Sequence, residues 1–172
     1  MTFKEVKELA DKGDAKAQSN LGLMYSKGTG VEKDYSKAFY WSKKSAEQGN
    51  TNAQFFLGLL YLGGLGIDKD FEKAFYWSKK SAEQGNPGAQ ASLGIMYFEG
   101  NGTDQNKEKA FDWFSKAAEQ GIPEAQYNLS LMYFDGNVIK QDYEKSYYWA
   151  EKAAQQRHSG ASKLLVKLII LM

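Results

Sequence analysis

The chain repeats itself every 36 residues: Ala17, Ala53, Ala89, Ala125 and Ala161 keep that interval, and so do Leu21, Leu57, Leu93, Leu129 and Leu165. Tyr25, Tyr61, Tyr97 and Tyr133 form a third series, and all four tryptophans (Trp41, Trp77, Trp113, Trp149) form a fourth. A fixed period of this size belongs to stacked arrays, where each unit buries its apolar face only against its neighbours. The period limits the chain to one architecture and leaves its function open.

Within a copy, Ala17, Leu21, Met24 and Tyr25 recur at helical spacing and predict a first amphipathic helix ending near Lys27. Gly22, Gly58 and Gly94 sit inside these helices. Glycine there costs about 1 kcal/mol relative to alanine, so its recurrence predicts close approach of a second helix. Gly28 and Gly30 make the connecting loop, and Asp34, Asp70, Asn106 and Asp142 are placed to cap a second helix. That helix carries Ala38, Trp41, Ser45 and Ala46 and stops at Gly49, Gly85 and Gly121. Both prolines, Pro87 and Pro123, stand at repeat boundaries, where the first position of a helix loses no hydrogen bond to proline. The expected domain is a single array over residues 1–172: an N-terminal cap helix 1–13, repeats 14–49, 50–85, 86–121 and 122–157, and a capping helix 158–172.

Charge and composition exclude several classes. The net charge is +1, from 22 basic and 21 acidic residues, with no basic excess for a nucleic acid. Cysteine is absent, so no disulfide framework or thiolate metal site exists. No apolar run of about 18 residues is present, and the N-terminal residues show no apolar secretory core. The expectation is a cytoplasmic protein, with export by another route left open. The single histidine, His158, reads as a surface residue, and neither a metal nor a cofactor is expected. The Gly28-Thr29-Gly30 pattern lies between helices and reads as a turn.

The copies AKAQSNLGLMYSKGTGV…DYSKAFYWSKKSAEQG and TNAQFFLGLLYLGGLGI…DFEKAFYWSKKSAEQG closely resemble the Sel1-like repeat, a relative of the tetratricopeptide repeat. The resemblance covers residues 15 to about 157. It implies an all-α solenoid, a right-handed superhelix of antiparallel helix pairs that scaffolds protein contacts, and a bacterial source. Some relatives are described as β-lactamase-like, but S-x-x-K, S-D-N and K-T-G do not occur here. Copy three departs from the pattern at Lys107; copy four departs at Ser130, Val138, Ser146 and Arg157, which predicts a differently shaped fourth loop.

Binding positions should vary between copies where core positions repeat. By analogy with tetratricopeptide arrays, Ser19, Phe55, Ala91 and Tyr127 are expected to face a groove, with Ser26, Leu62, Phe98 and Phe134 one row away. Asn20, Asn128 and Glu99 are placed to orient a ligand backbone. The invariantly apolar Leu23, Leu59, Ile95 and Leu131 read as core. The leading function is a non-catalytic protein- or peptide-binding adaptor whose anchors are Phe55, Leu62, Phe98, Tyr127 and Phe134. The alternatives are self-association through the apolar C-terminal helix, at Leu168, Ile169, Leu171 and Met172, giving a homodimer, or a hydrolase of the β-lactamase-like kind.

Overall fold

The computed structural model describes residues 1–171, so Met172 lies outside the described residues. Among the described residues there are ten α-helices and no strand. In order they are α1 (Phe3–Asp11), α2 (Ala15–Lys27), α3 (Tyr35–Glu47), α4 (Thr51–Gly63), α5 (Phe71–Glu83), α6 (Pro87–Glu99), α7 (Lys107–Glu119), α8 (Pro123–Asp135), α9 (Tyr143–Gln155) and α10 (Ser159–Leu171). Even-numbered helices are the first helices of the repeats and odd-numbered ones the second. No described helix is long and apolar enough to cross a membrane. The chain forms two compact units, Met1–Ala89 and the part from Gln90 onward, with the division inside α6.

Start and stop signals act where the repeat placed them. Asp34, Asp70, Asn106 and Asp142 accept from the backbone N–H of Lys37, Lys73, Lys109 and Lys145, at 2.8–2.9 Å. The Lys37 N–H and its ammonium hold the Asp34 carboxyl below its ordinary range, and Lys73 does the same for Asp70. Gly28, Gly64 and Gly136 end first helices in the left-handed conformation. Second helices close at Gly49, Gly85 and Gly121, all near φ 88–89°. In copy four Arg157 holds that place at φ 66°, the one non-glycine with positive φ among the described residues.

In the first unit, Val6, Ala10, Ala17, Leu21, Tyr25 and Ala38 form the buried core, with Phe3, Met24, Val31, Trp41 and Phe56 packed against it. The helix glycines let the hairpins close. A Cβ on Gly22 would lie 2.5 Å from Ser42 Oγ, and one on Gly58 2.7 Å from Ser78 Oγ. Ser42 Oγ is buried there without a hydrogen-bond partner. In the second unit the same glycine position is relieved differently. Gly94 accommodates the buried Phe114 ring, and Ser130 lies beside Ala150 in register while its carbonyl accepts from Ser146 Oγ at 2.8 Å. Ala150, Leu164 and Leu168 make the core at the end of this unit, with Tyr127, Leu131, Phe134, Tyr143, Tyr147 and Leu165 around them.

Within each unit a buried glutamine ties a first helix both to the preceding second helix and to its own hairpin partner. Gln54 Nε2 donates to the Ala46 carbonyl and Gln54 Oε1 accepts from Gln84, at 3.2 and 2.6 Å. Gln18 joins Ala10 and Gln48 in the same way, and Gln126 joins Ala118 and Gln156.

Two substitutions test this reading by thermal unfolding. Arg157→Gly removes a strained left-handed arginine and should stabilise by about 1 kcal/mol, raising Tm by about 2–4 °C for a chain of this size. Ser42→Ala removes a buried, unpaired hydroxyl and should also stabilise, by about 1 kcal/mol; a loss of stability would mean that Ser42 has a partner in solution.

Candidate functional site

Each first helix carries a stripe of residues at i, i+4, i+7 and i+11 along one face. On α2 the stripe is Lys16, Asn20, Leu23 and Lys27, and on α4 it is Asn52, Phe56, Leu59 and Gly63; all of these are partly or fully exposed. In the second unit the same register positions are Ser92, Ile95 and Glu99 on α6, and Glu124, Asn128, Leu131 and Asp135 on α8. Leu23, Leu59, Ile95 and Leu131 are partly exposed at the centre of each stripe, and Leu131 also packs against the terminal core. Asn20 and Asn128 do lie on it. Asn20 also lines a cleft of about 380 Å³ with Met1, Val6, Leu23, Met24, Lys27 and Thr29. Asn128 donates to its own helix, at the Glu124 carbonyl (2.9 Å).

The row expected to face the groove is turned one residue, about 100°, towards the neighbouring helix. Ser19 and Ala91 are buried, at 6% exposure each. Phe55 and Tyr127 are partly buried wedges between first helices. A Cβ on Gly88 would lie 2.8 Å from the Phe55 ring, and one on Gly160 would lie 2.8 Å from Tyr127. Large residues thus face glycine. The small Ser19 and Ala91 stand in register with Asn52 and Glu124 on the following helix. Tyr127 also stacks on His158, with ring centroids 4.4 Å apart. His158 Nδ1 accepts from the Ala161 N–H at 3.2 Å, so this histidine is a partly buried helix cap and not a surface residue.

In the next row, Leu62 is partly exposed and Phe98 is 40% exposed, with the Lys107 ammonium 5.6 Å from its ring. Glu99 is exposed and accepts from Asn101. Phe134 belongs instead to the terminal core, against Tyr143 and beneath Lys167, whose ammonium is 4.5 Å from its ring. In α10, Leu168 is fully buried, which removes it from the expected self-association surface. Ile169 and Leu171 are exposed, together with Val166 and Ile170.

The stripes differ in charge. The α2 stripe ends in two lysines, the α8 stripe in two acids, and α6 adds Glu99. On the second helices Tyr40, Tyr76 and Tyr148 are each half exposed, edge-on to the adjacent tryptophan. Lys44, Lys80 and Lys152 cover them at 4.7–5.0 Å. Such contacts contribute about 0.5–1 kcal/mol at exposed sites.

The fourth loop does have its own shape. Gly66 packs against the backbone at Tyr35 and Ser36 with φ 74°, whereas Val138 does not adopt the left-handed conformation. Beside this loop a cavity of about 480 Å³ opens between Phe111, Tyr133, Ile139 and Lys145. Among the described residues no group of three His, Cys, Asp or Glu side chains could hold a metal.

Comparison with known proteins fits this geometry. Four consecutive stretches, 15–50, 51–86, 87–122 and 123–158, match the Sel1 repeat. The protective antigen c5321 of uropathogenic Escherichia coli, which displays an SLR fold, is 41% identical with a TM-score of 0.86, over 91% of this chain and 33% of that one. A Sel1 repeat protein from Oxalobacter formigenes is 38% identical with a TM-score of 0.87, over 95% and 66%. The chain thus spans a third of the length of the first and about two thirds of the second. Cysteine rich protein B of Helicobacter pylori, at 24% identity and a TM-score of 0.59 over 72% and 91%, shares the fold. None of the curated proteins compared with the chain matches it.

The wedge role predicts that Phe55→Ala and Tyr127→Ala each destabilise by about 2 kcal/mol, below the cost for a fully buried ring. Phe98→Ala should stay within about 0.5 kcal/mol of the parent. Chemical denaturation of the three variants checks both values.

Proposed function

Since this chain belongs to the Sel1 repeat family and has its all-α solenoid fold, we propose that it is a non-catalytic scaffold holding a protein or peptide on the open faces of its first helices. The observation that carries the reading is one apolar position per first helix, Leu23 and Leu59 in the first unit and Ile95 and Leu131 in the second. These residues are apolar in every copy yet remain partly exposed, flanked by side chains that change from copy to copy. The pair of apolar positions in each unit gives anchoring area, at about 25 cal/mol per Å² removed from water. The changing neighbours select the sequence held. Asn20 and Asn128 offer amide groups to a ligand backbone, Leu62 and Phe98 extend the apolar surface, and Glu99 adds an acid at its edge. The basic α2 stripe favours acidic segments of a partner, and the acidic α8 stripe favours basic ones. The partly buried Phe55, Tyr127 and Phe134 act in this reading by holding the helices at their spacing.

Capture from cell lysate tests the proposal with Leu59→Glu and Leu131→Glu, one substitution for each unit, in folded protein of matched Tm. An anchor worth about 2 kcal/mol corresponds to roughly a thirtyfold loss of affinity. Retention of every captured protein by both variants would move binding away from the first helices.

A further inference from the structure

Between α4 and α5, Gly66 lets the loop lie directly on the start of α3. A Cβ at this position would overlap the Tyr35 carbonyl oxygen. The obstacle is backbone, so it stands whatever side chain position 35 carries. Between α8 and α9 the same register places are Val138 and Lys107. A valine side chain does not fit that contact, and Val138 lacks the left-handed φ of Gly66. The end of this loop is nonetheless fastened to α8. Gln141 Nε2 donates to the Phe134 carbonyl at 2.8 Å, and the Asp142 N–H donates to the Tyr133 carbonyl at 3.0 Å. Held on α8 and kept off α7, the loop borders the cavity of about 480 Å³.

The cavity has two kinds of wall. Phe111 and Tyr133 meet edge to face, with ring centroids 5.8 Å apart, and Ile139 adds an aliphatic side. Its charged lining residues are Lys140, Lys145 and Asp142. Lysine at position 140 reverses a charge, because Glu32, Asp68 and Asp104 hold that place in the other copies. Asp142 Oδ1 accepts from the Lys145 backbone N–H at 2.9 Å, and its Oδ2 lies 3.6 Å from the Lys145 ammonium. The equivalent ion pairs, Lys37–Asp34 and Lys73–Asp70, are tighter, at 3.1 and 2.8 Å. Two ammonium groups against one carboxylate leave the lining with a single net positive charge, beside two aromatic rings.

We propose that this cavity binds an aromatic monocarboxylate, with the carboxylate between Lys140 and Lys145 and the ring against Phe111, Tyr133 and Ile139. One negative charge balances the lining, whereas a dianion would leave one charge uncompensated near Asp142. A third ring extends the edge-to-face packing of the Phe111–Tyr133 pair. The volume falls in the range of small-molecule sites, about 300–1,000 Å³. A free aryl acid carries this chemistry, and so does a peptide that ends in an aromatic residue.

Titration of the isotope-labelled 172-residue chain with hydrocinnamate, followed through amide chemical shifts, tests the proposal. Saturable shifts are expected at Ile139, Lys140 and Lys145, with a Kd of about 1 mM. Acetate lacks the ring and hydrocinnamamide lacks the charge, and each should bind about tenfold more weakly. Lys140→Asp restores the acid of the other copies at an exposed position, and Val138→Gly lets the loop settle onto α7. Each variant should also lose about tenfold in affinity, and circular dichroism establishes that both fold. Acetyl-diglycyl-phenylalanine forms a second arm. Tighter binding than hydrocinnamate makes a peptide terminus the source of the ligand, and equal or weaker binding makes it a free acid. The proposal is overturned by the absence of saturable shifts up to about 20 mM hydrocinnamate, by an equal response to acetate, or by undiminished binding in either variant.

Discussion

A buried glutamine in the first helix of each of the four repeats is the interaction on which the packing of successive helices depends. Gln18, Gln54 and Gln126 each bridge a carbonyl of the preceding second helix and a terminal glutamine of their own hairpin. Gln90 accepts from Gln120 in the same manner. These side chains are 3–6% exposed, so their amides have little access to water. Each bond contributes only about 1 kcal/mol net, but an amide left unpaired in such a place costs about 1–3 kcal/mol. The pairing therefore disfavours every register but one between successive helices. Apolar contacts alone tolerate sliding far better, because they are not directional.

With register fixed, small residues set the spacing. Glycine in α2 and α4 brings the second helix so near that only a small side chain fits opposite, and Ser42 is left with an orphaned hydroxyl. The later copies relax this in compensating ways: Phe114 fills the space over Gly94, and Ser130 comes with Ala150. Between first helices the same rule appears as Phe55 over Gly88 and Tyr127 over Gly160. Variation between copies is thus largely reciprocal packing. A varying aromatic and a varying glycine 33 residues later form one contact.

That reciprocity explains why variation between copies does not separate exposed side chains from covered ones. In the sequence, variation suggests ligand contact and constancy suggests the core. Phe55 and Tyr127 vary because their partners on the next helix vary. Leu23, Leu59, Ile95 and Leu131 are constant yet lie partly open. A step of one residue turns a side chain through about 100°, and periodicity alone does not separate a helix flank that meets a neighbour from one that meets solvent. A usable signal was present in the invariant glutamine, since a polar residue recurring between buried alanines implies a bonded partner. His158 was misplaced for a similar reason: its cap on α10 and its stack on Tyr127 join residues that only folding brings together.

The sequence by itself determined the period, the helical hairpin, its caps and stops, the close approach at the helix glycines and the departures of copy four, because each follows from local backbone chemistry repeated in phase. It also carried enough matching positions to identify the family. The tertiary structure decided which flank of each first helix is covered and which aromatics are wedges. Burial depends on what lies across from a residue. In a stacked array that neighbour is another copy, some 33 residues along the chain in the Phe55–Gly88 and Tyr127–Gly160 pairs, so exposure is set only once the helices are placed against one another.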